Sequence, residues 1–240
     1  MKLFALLCAF ASGTLFGCAF RLLPEKWLCD YGEAPRACHA AECRRLPIWQ
    51  LLLCGVLCAL CTAGAMQQLQ GLFAPFLFAM FAGILLLVAL CDLRYTILPD
   101  ELLLLGAILA FLLYCSGALR TMQTAWYLPF LGAALGFFGL WGVLALAAKI
   151  YHTDALGFGD VKLLALIGFI CGPFGLGIAT LLAVFSAALV CVPLLLLKKL
   201  KRTDIFAFGP FLVGGALCTL GAWQTWHSVI NWYFGFFSSI

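Results

Sequence analysis

The sequence predicts an all-α integral membrane protein with about eight transmembrane helices. Hydrophobic residues make up 65% of the 240 residues and charged residues only 10%, and the mean hydropathy is +1.12. A soluble domain carries about 25% charged residues, and about 20 consecutive apolar residues are enough to cross a bilayer as a helix. The chain is therefore expected to fold in lipid.

The apolar residues are grouped in eight segments, near residues 3–20, 48–65, 72–91, 99–116, 127–148, 161–179, 180–197 and 206–223. The sixth and seventh segments are nearly continuous, and only Gly172, Pro173 and Gly175 are typical of a turn there. We divide the chain into a first transmembrane helix (1–20), a polar insert (21–47) and a membrane domain (48–240).

Lysine and arginine are distributed unevenly among the connections. Twelve of the fourteen lie in alternate connections, and only Lys2 and Arg120 fall on the other side. The positive-inside rule assigns the basic side to the cytoplasm of a multi-pass membrane protein. The net charge of +4 then reflects topology, and we expect the lipid bilayer and no nucleic acid as a partner. The sequence contains no indication of the oligomeric state.

Two helix starts are marked by local signals. Pro99 followed by Asp100 and Glu101 is typical of a first helical turn, with acids near the positive end of the helix dipole. Gly157 precedes another start, at which Asp160 is expected to lie at or near the N-cap.

Asp92 and Asp160 are the candidate catalytic residues. Each lies at the edge of a long apolar segment, and both edges are on the predicted cytoplasmic side. A carboxylate at a membrane boundary is a candidate functional group, and two suggest the dyad of an aspartic protease. Helix capping is the alternative for Asp160, and a first-turn role is expected for Asp100.

The helix termini predict how the pair would share a proton. Asp92 ends a helix, where exposed carbonyls disfavour an anion, so we expect it to hold the proton as the acid, with Asp160 as the base. Lys162 is expected to favour the ionised form of Asp160. Gly157 and Gly159 permit a peptide substrate to approach closely and also permit unusual φ values.

Four motifs carry a resemblance to a known family. They are D-x6-P-D at residues 92–100, G-F-G-D-V-K at residues 157–162, F-G-P-F-L at residues 208–212 and R-L-L-P at residues 21–24. In this ordered set the chain resembles the type IV prepilin leader peptidases, which are membrane aspartic proteases. The resemblance implies that Asp92 and Asp160 form the catalytic pair. It also implies a multi-pass protein of the bacterial inner membrane. The implied reaction is cleavage of the short basic leader of prepilins and pseudopilins, after a glycine, at the cytoplasmic membrane face.

The polar insert departs from the family pattern. Bifunctional members carry two C-x-x-C pairs there and methylate the new N-terminus with S-adenosylmethionine, whereas this insert has only Cys29, Cys38 and Cys43, with His39. These four residues are weak candidates for a zinc site, because adjacent Cys38 and His39 are an awkward pair of ligands. We expect proteolysis to need no cofactor, and N-methyltransferase activity is placed in doubt.

Two other functions remain as alternatives. A transporter or channel subunit would use the two aspartates for ion coupling, but such sites usually lie near the bilayer midplane in broken helices. The predicted position at the membrane edge favours a protease. A non-catalytic scaffold is the second alternative. The sequence does not distinguish substrates of pili, of secretion or of DNA uptake.

Overall fold

The computed structural model describes residues 2–28, 46–71, 73–120, 122–151, 157–198 and 206–238. This part of the chain contains no β-strand, so the all-α prediction is confirmed. Its α-helices are α1 (Lys2–Ala19), α2 (Ile48–Ala65), α3 (Ala74–Tyr95), α4 (Asp100–Cys115), α5 (Leu128–Tyr151), α6 (Phe158–Leu196), α7 (Gly209–Gly221) and α8 (Trp223–Ser238). Two short 3-10 helices, Phe20–Leu22 and Glu25–Leu28, follow α1.

The prediction of a polytopic membrane protein is also confirmed. Within the described ranges, five helices are long and apolar enough to cross a bilayer, namely α1, α2, α3, α5 and α6. The predicted number of eight spans is larger. The difference arises because α4 and α7 have only 16 and 13 residues, and because two predicted segments belong to α6.

The predicted bounds of the sixth and seventh segments (161–179 and 180–197) are wrong, whereas the turn signal at Gly172 and Pro173 is confirmed. Helix α6 continues through residues 179 and 180 and is instead interrupted at Gly172, which has φ 68° and ψ 178°. Only glycine adopts this backbone conformation without strain. Pro173 then begins the second half, where its missing N–H leaves no hydrogen bond unmade. The turn therefore lies at the glycine and proline themselves.

The interruption in α6 is stabilised from the α4–α5 connection. The side chain of Gln123 is buried, and its Nε2 donates to the carbonyls of Phe169 (2.9 Å) and Ile170 (2.8 Å). These carbonyls lie at the end of the first half of α6, where the helix itself provides no further N–H groups to bond to them. Helix α5 packs closely on this half, because Gly132 and Gly168 lie backbone to backbone with no room for a side chain.

Helix α3 is the central element of the bundle. It packs against α1, α2, α4 and α7. Its sequence is apolar on all sides, as expected for a helix surrounded by other helices, and Phe78, Phe81 and Leu85 are fully buried. Since its last turn carries Asp92, the most deeply buried of the five described spans positions one of the two candidate catalytic residues.

Candidate active site

Four helix ends meet at one end of the bundle. They are the C-terminal end of α3 and the first turns of α4, α6 and α7, which are joined by contacts between residues far apart in sequence. Gln123 and its partners in α6 mark the opposite end of the first half of that helix. The structure thus places both Asp92 and Asp160 at the same end.

Asp92 lies in the last turn of α3 and is only 5% exposed. The helix ends because Thr96 adopts the left-handed conformation (φ 55°), from which its N–H donates to the carbonyl of Asp92 at 2.8 Å. The predicted position of Asp92 at a helix C-terminus is confirmed. A buried carboxylate is unfavourable unless it is hydrogen-bonded or neutralised, so its partner is informative.

That partner is the N-terminus of another helix. The backbone N–H of Gly209, the first residue of α7, donates to Oδ2 of Asp92 at 2.8 Å. The first N–H groups of a helix have no intrahelical acceptor and favour an anion. Asp92 therefore lies at two helix ends of opposite polarity. The sequence-based assignment of the proton to Asp92 considered only the α3 end.

Asp160 is the third residue of α6 and is 7% exposed. The N-cap is Gly157, and no side chain caps this helix. Asp160 therefore lies near the N-cap, as predicted, in the first turn of the helix and three residues after the cap itself. Its Oδ1 atom is buried and has no hydrogen-bond partner among the described residues, an arrangement that is rare in folded proteins and that calls for an explanation.

The two carboxyl groups are close enough for their charges to repel each other. They come from positions 68 residues apart and are both buried. Two interacting carboxyl groups do not ionise independently of each other. The structure thus brings together the two acids that the sequence singled out, and their sharing of one proton stays a prediction.

Gly157 and Gly159 differ in their surroundings. Gly157 has φ −72°, and Gly159 is not among the glycines with positive φ, so neither uses the unusual φ values that glycine permits. A Cβ atom on Gly159 would lie 2.8 Å from Cβ of Leu98, whereas one on Gly157 would meet nothing closer than 4.0 Å. Gly159 is thus required for packing, and Gly157 leaves open space beside the start of α6.

Lys162 is paired with Asp100. Its Nζ atom lies 2.7 Å from Oδ1 and 2.6 Å from Oδ2 of that residue. Asp100 is the first residue of α4, directly after Pro99, as the sequence predicted. The positive charge expected to act on Asp160 is therefore largely balanced by Asp100.

Sequence reasoning missed two of these partners. Gly209 and the Lys162–Asp100 pair lie inside motifs that were noted only as helix starts or as a charge beside Asp160. Their proximity to the candidate dyad depends on contacts across 117 and 62 residues, which no local pattern reveals.

The candidate zinc ligands Cys29, Cys38, His39 and Cys43 lie outside the described residues. Within the described ranges, no group of three or more His, Cys, Asp or Glu side chains is arranged to hold a metal ion. The zinc prediction therefore stays a prediction.

Comparison with known proteins identifies the family. The sequence model of the type IV leader peptidase family matches residues 79–192, a range that includes both aspartates. The chain is similar to proteins named prepilin leader peptidase/N-methyltransferase. The relative from Bacillus subtilis (strain 168) is 31% identical over 64% of this chain and 57% of its own length. The relative from Stutzerimonas stutzeri is 28% identical over 78% of this chain and 61% of its own length.

The chain thus spans less than two thirds of the length of these two relatives. No solved structure shows a significant match. A third relative, from Escherichia coli (strain K12), is 34% identical over 68% of this chain and 73% of its own length. On this similarity, the chain belongs to the type IV leader peptidase family.

Proposed function

We propose that this protein is a membrane aspartic endopeptidase that removes the short basic leader of prepilins or pseudopilins. Cleavage occurs after a glycine at the cytoplasmic membrane face. The observation that carries the proposal is the pair of buried carboxyl groups of Asp92 and Asp160, within electrostatic reach of each other at one end of the bundle. The names of the relatives supply the substrate class.

The surroundings of the two carboxyl groups favour one division of roles. Asp92 accepts a hydrogen bond from Gly209, which stabilises a carboxylate, whereas no donor in the part of the chain that the structure describes reaches Oδ1 of Asp160. We assign the ionised form to Asp92 as general base and the shared proton to Asp160 as general acid. This is the reverse of the roles expected from the helix termini of α3 and α6 alone.

The reaction follows from these roles. Asp92 removes a proton from water, and the resulting hydroxyl adds to the carbonyl carbon of the scissile peptide bond while Asp160 gives its proton to the carbonyl oxygen. When the tetrahedral intermediate collapses, Asp92 returns the proton to the leaving nitrogen and the C–N bond breaks. The hydroxyl proton then returns to Asp160, so the dyad regains its starting state. The products are the leader carboxyl group and a new amino terminus.

The cytoplasmic location rests on charge distribution. Arg94 follows Asp92 by two residues, and Lys162 follows Asp160 by two, so both acids lie beside cationic side chains on the side that carries most of the Lys and Arg residues. An ion-coupling role for the aspartates receives less support. The interruption of α6 is at Gly172, twelve residues from Asp160, so the acid lies at the end of the helix rather than at the break.

N-methyltransferase activity is named for the relatives and is not part of our proposal. The insert of this chain has no C-x-x-C pair. We propose that the product is released with an unmodified amino group, and that proteolysis needs neither zinc nor S-adenosylmethionine.

The proposal is tested with the full chain purified in detergent and incubated with a synthetic prepilin segment that contains the leader, the glycine and the following apolar stretch. We expect one cut after the glycine, seen by mass spectrometry and N-terminal sequencing, without methylation when S-adenosylmethionine is added. Asp92→Asn and Asp160→Asn should each abolish the cut while elution in gel filtration and helical circular dichroism stay unchanged. Cleavage that persists in either variant would overturn the assignment of the dyad.

A further inference from the structure

We propose that Asp100 and Lys162 form a positioning ion pair that holds the two aspartates at their working separation. The proposal rests on the proposed peptidase function and adds to it two residues that do not touch the reacting atoms. It concerns the side chains that join the first turn of α4 to the first turn of α6.

The geometry of the pair is specific. Nζ of Lys162 contacts both carboxylate oxygens of Asp100, at 2.7 and 2.6 Å, which are short distances for a charge-assisted hydrogen bond. Each residue is close in sequence to one member of the dyad. Lys162 follows Asp160 by two residues on α6, and Asp100 is connected to Asp92 by the last turn of α3 and the short segment 96–99.

The dyad needs such a link because the two helices that carry it hardly touch each other. Among the described helices, α3 and α6 are not a closely packed pair, and each packs instead against α4 and α7. The relative position of Asp92 and Asp160 is therefore set through these intermediates. On the α7 side the link is the bond from Gly209 to Asp92. On the α4 side it consists of the contact of Leu98 with Gly159 and of the Asp100–Lys162 pair.

The pair contributes little to the stability of the fold and little to the electrostatic field at the dyad. The Lys162 and Asp100 side chains are 36% and 46% exposed, and a partly exposed pair adds little to the free energy of unfolding. Their opposite charges also largely cancel at the position of Asp160, so the pair exerts only a small net field on the dyad. The contribution that remains is to hold the first turns of α4 and α6 in a fixed relative position.

A double-mutant cycle separates geometry from charge. We would measure kcat and KM for prepilin cleavage in Asp100→Asn, Lys162→Met, the double variant and the conservative Lys162→Arg. Glu101→Gln and Lys149→Met are matched controls. Glu101 lies in the same turn as Asp100, Lys149 is an exposed lysine on α5, and neither has an ion-pair partner in the part of the chain that the structure describes.

We expect each single variant to lower kcat by about three- to tenfold with little change in KM, in keeping with the strength of a partly exposed pair. The double variant should lose no more than either single variant, because both remove the same link. Lys162→Arg should retain most of the activity. Recovery of wild-type kcat in the double variant would show that only charge balance matters and would overturn the proposal, as would a rise in KM alone.

Hydrogen exchange supplies a readout that does not depend on catalysis. In the double variant, the amides of residues 96–103 and 158–164 should exchange faster than in the wild type, while those of α1 and α2 stay unchanged. Unchanged exchange in both segments would overturn the positioning role whether or not the protein cleaves prepilin. If the wild type cleaves nothing but the exchange result is as expected, the peptidase function fails and the link between the two helices stands.

Discussion

Oδ2 of Asp92 accepts a hydrogen bond of 2.8 Å from the backbone N–H of Gly209, across 117 residues of sequence. The bond joins the C-terminal end of α3 to the N-terminal end of α7. It leaves no space between the two residues, since a Cβ atom on Gly209 would lie 2.7 Å from the same oxygen. The glycine of the F-G-P-F-L motif therefore serves the candidate dyad as well as the start of a helix.

Replacing Gly209 by alanine should impair cleavage strongly. The added methyl group must displace the Asp92 carboxylate, and a catalytic group misplaced by about 1 Å lowers the rate on the order of a hundredfold. Initial rates of prepilin cleavage check this. Gly214→Ala is the control, because a Cβ there meets no atom within 4 Å on the same helix. Equal activity of the two variants would contradict the structural role of Gly209.

The two glycines before Asp160 should respond differently to the same substitution. Gly159→Ala would place a methyl group 2.8 Å from Cβ of Leu98, so the start of α6 must move away from the segment before α4. We expect a lower kcat and a lower unfolding temperature. Gly157→Ala meets open space at an ordinary φ of −72° and should fold normally. A loss of cleavage in folded Gly157→Ala would instead indicate that the substrate backbone passes there.

Gly172→Ala should destabilise the fold by roughly 1–3 kcal/mol, because alanine is strained at this backbone conformation. Gly177→Ala is the control, because Gly177 lies later in the same helix and an added Cβ there meets no atom within 4 Å. This variant should leave the free energy of unfolding unchanged or raise it slightly. Reversible unfolding in mixed detergent micelles would give both values. If the two variants are equally stable, the interruption of α6 at Gly172 is not present in the protein.

The insert cysteines should be dispensable for proteolysis. We expect the triple variant Cys29→Ser, Cys38→Ser and Cys43→Ser to keep most of the cleavage activity, since the proposed reaction uses only Asp92, Asp160 and water. Metal analysis of the purified wild-type protein should find no stoichiometric zinc. The prediction is contradicted if the wild type contains zinc and the variant loses both zinc and activity. The cysteines would then be needed for proteolysis.

Much of the architecture could be predicted because it depends on local physical chemistry. The apolar composition predicted a helical membrane protein, and Pro99 with Asp100 predicted the start of α4. The bounds of the two segments in α6 were misplaced, because hydropathy is continuous across Gly172, although Gly172 and Pro173 themselves are typical turn residues. Most residues before the break are buried and most after it are exposed, a difference that depends on helix packing and that hydropathy does not reveal.

The candidate site was predicted in part. The sequence identified Asp92 and Asp160 as ionisable residues whose burial in an apolar environment costs free energy. It could not identify the contacts of the carboxyl groups. The N–H of Gly209 is a backbone group, and almost every residue type has one. The pairing of Lys162 with Asp100 rather than with Asp160 depends on how α4 and α6 cross, which composition does not determine.

The break in α6 has a consequence for how a substrate is processed. The first half, from Phe158 to the residue before Gly172, rises only about 21 Å, whereas the hydrocarbon layer of a bilayer is about 30 Å thick. Gln123 anchors the far end of this short helix, so we expect a surrounding bilayer to become thinner beside Asp160. Under the proposed function, water would enter the resulting depression in the membrane surface. A peptide bond just above an inserted apolar segment would then be hydrolysed there without the segment being drawn out of the bilayer.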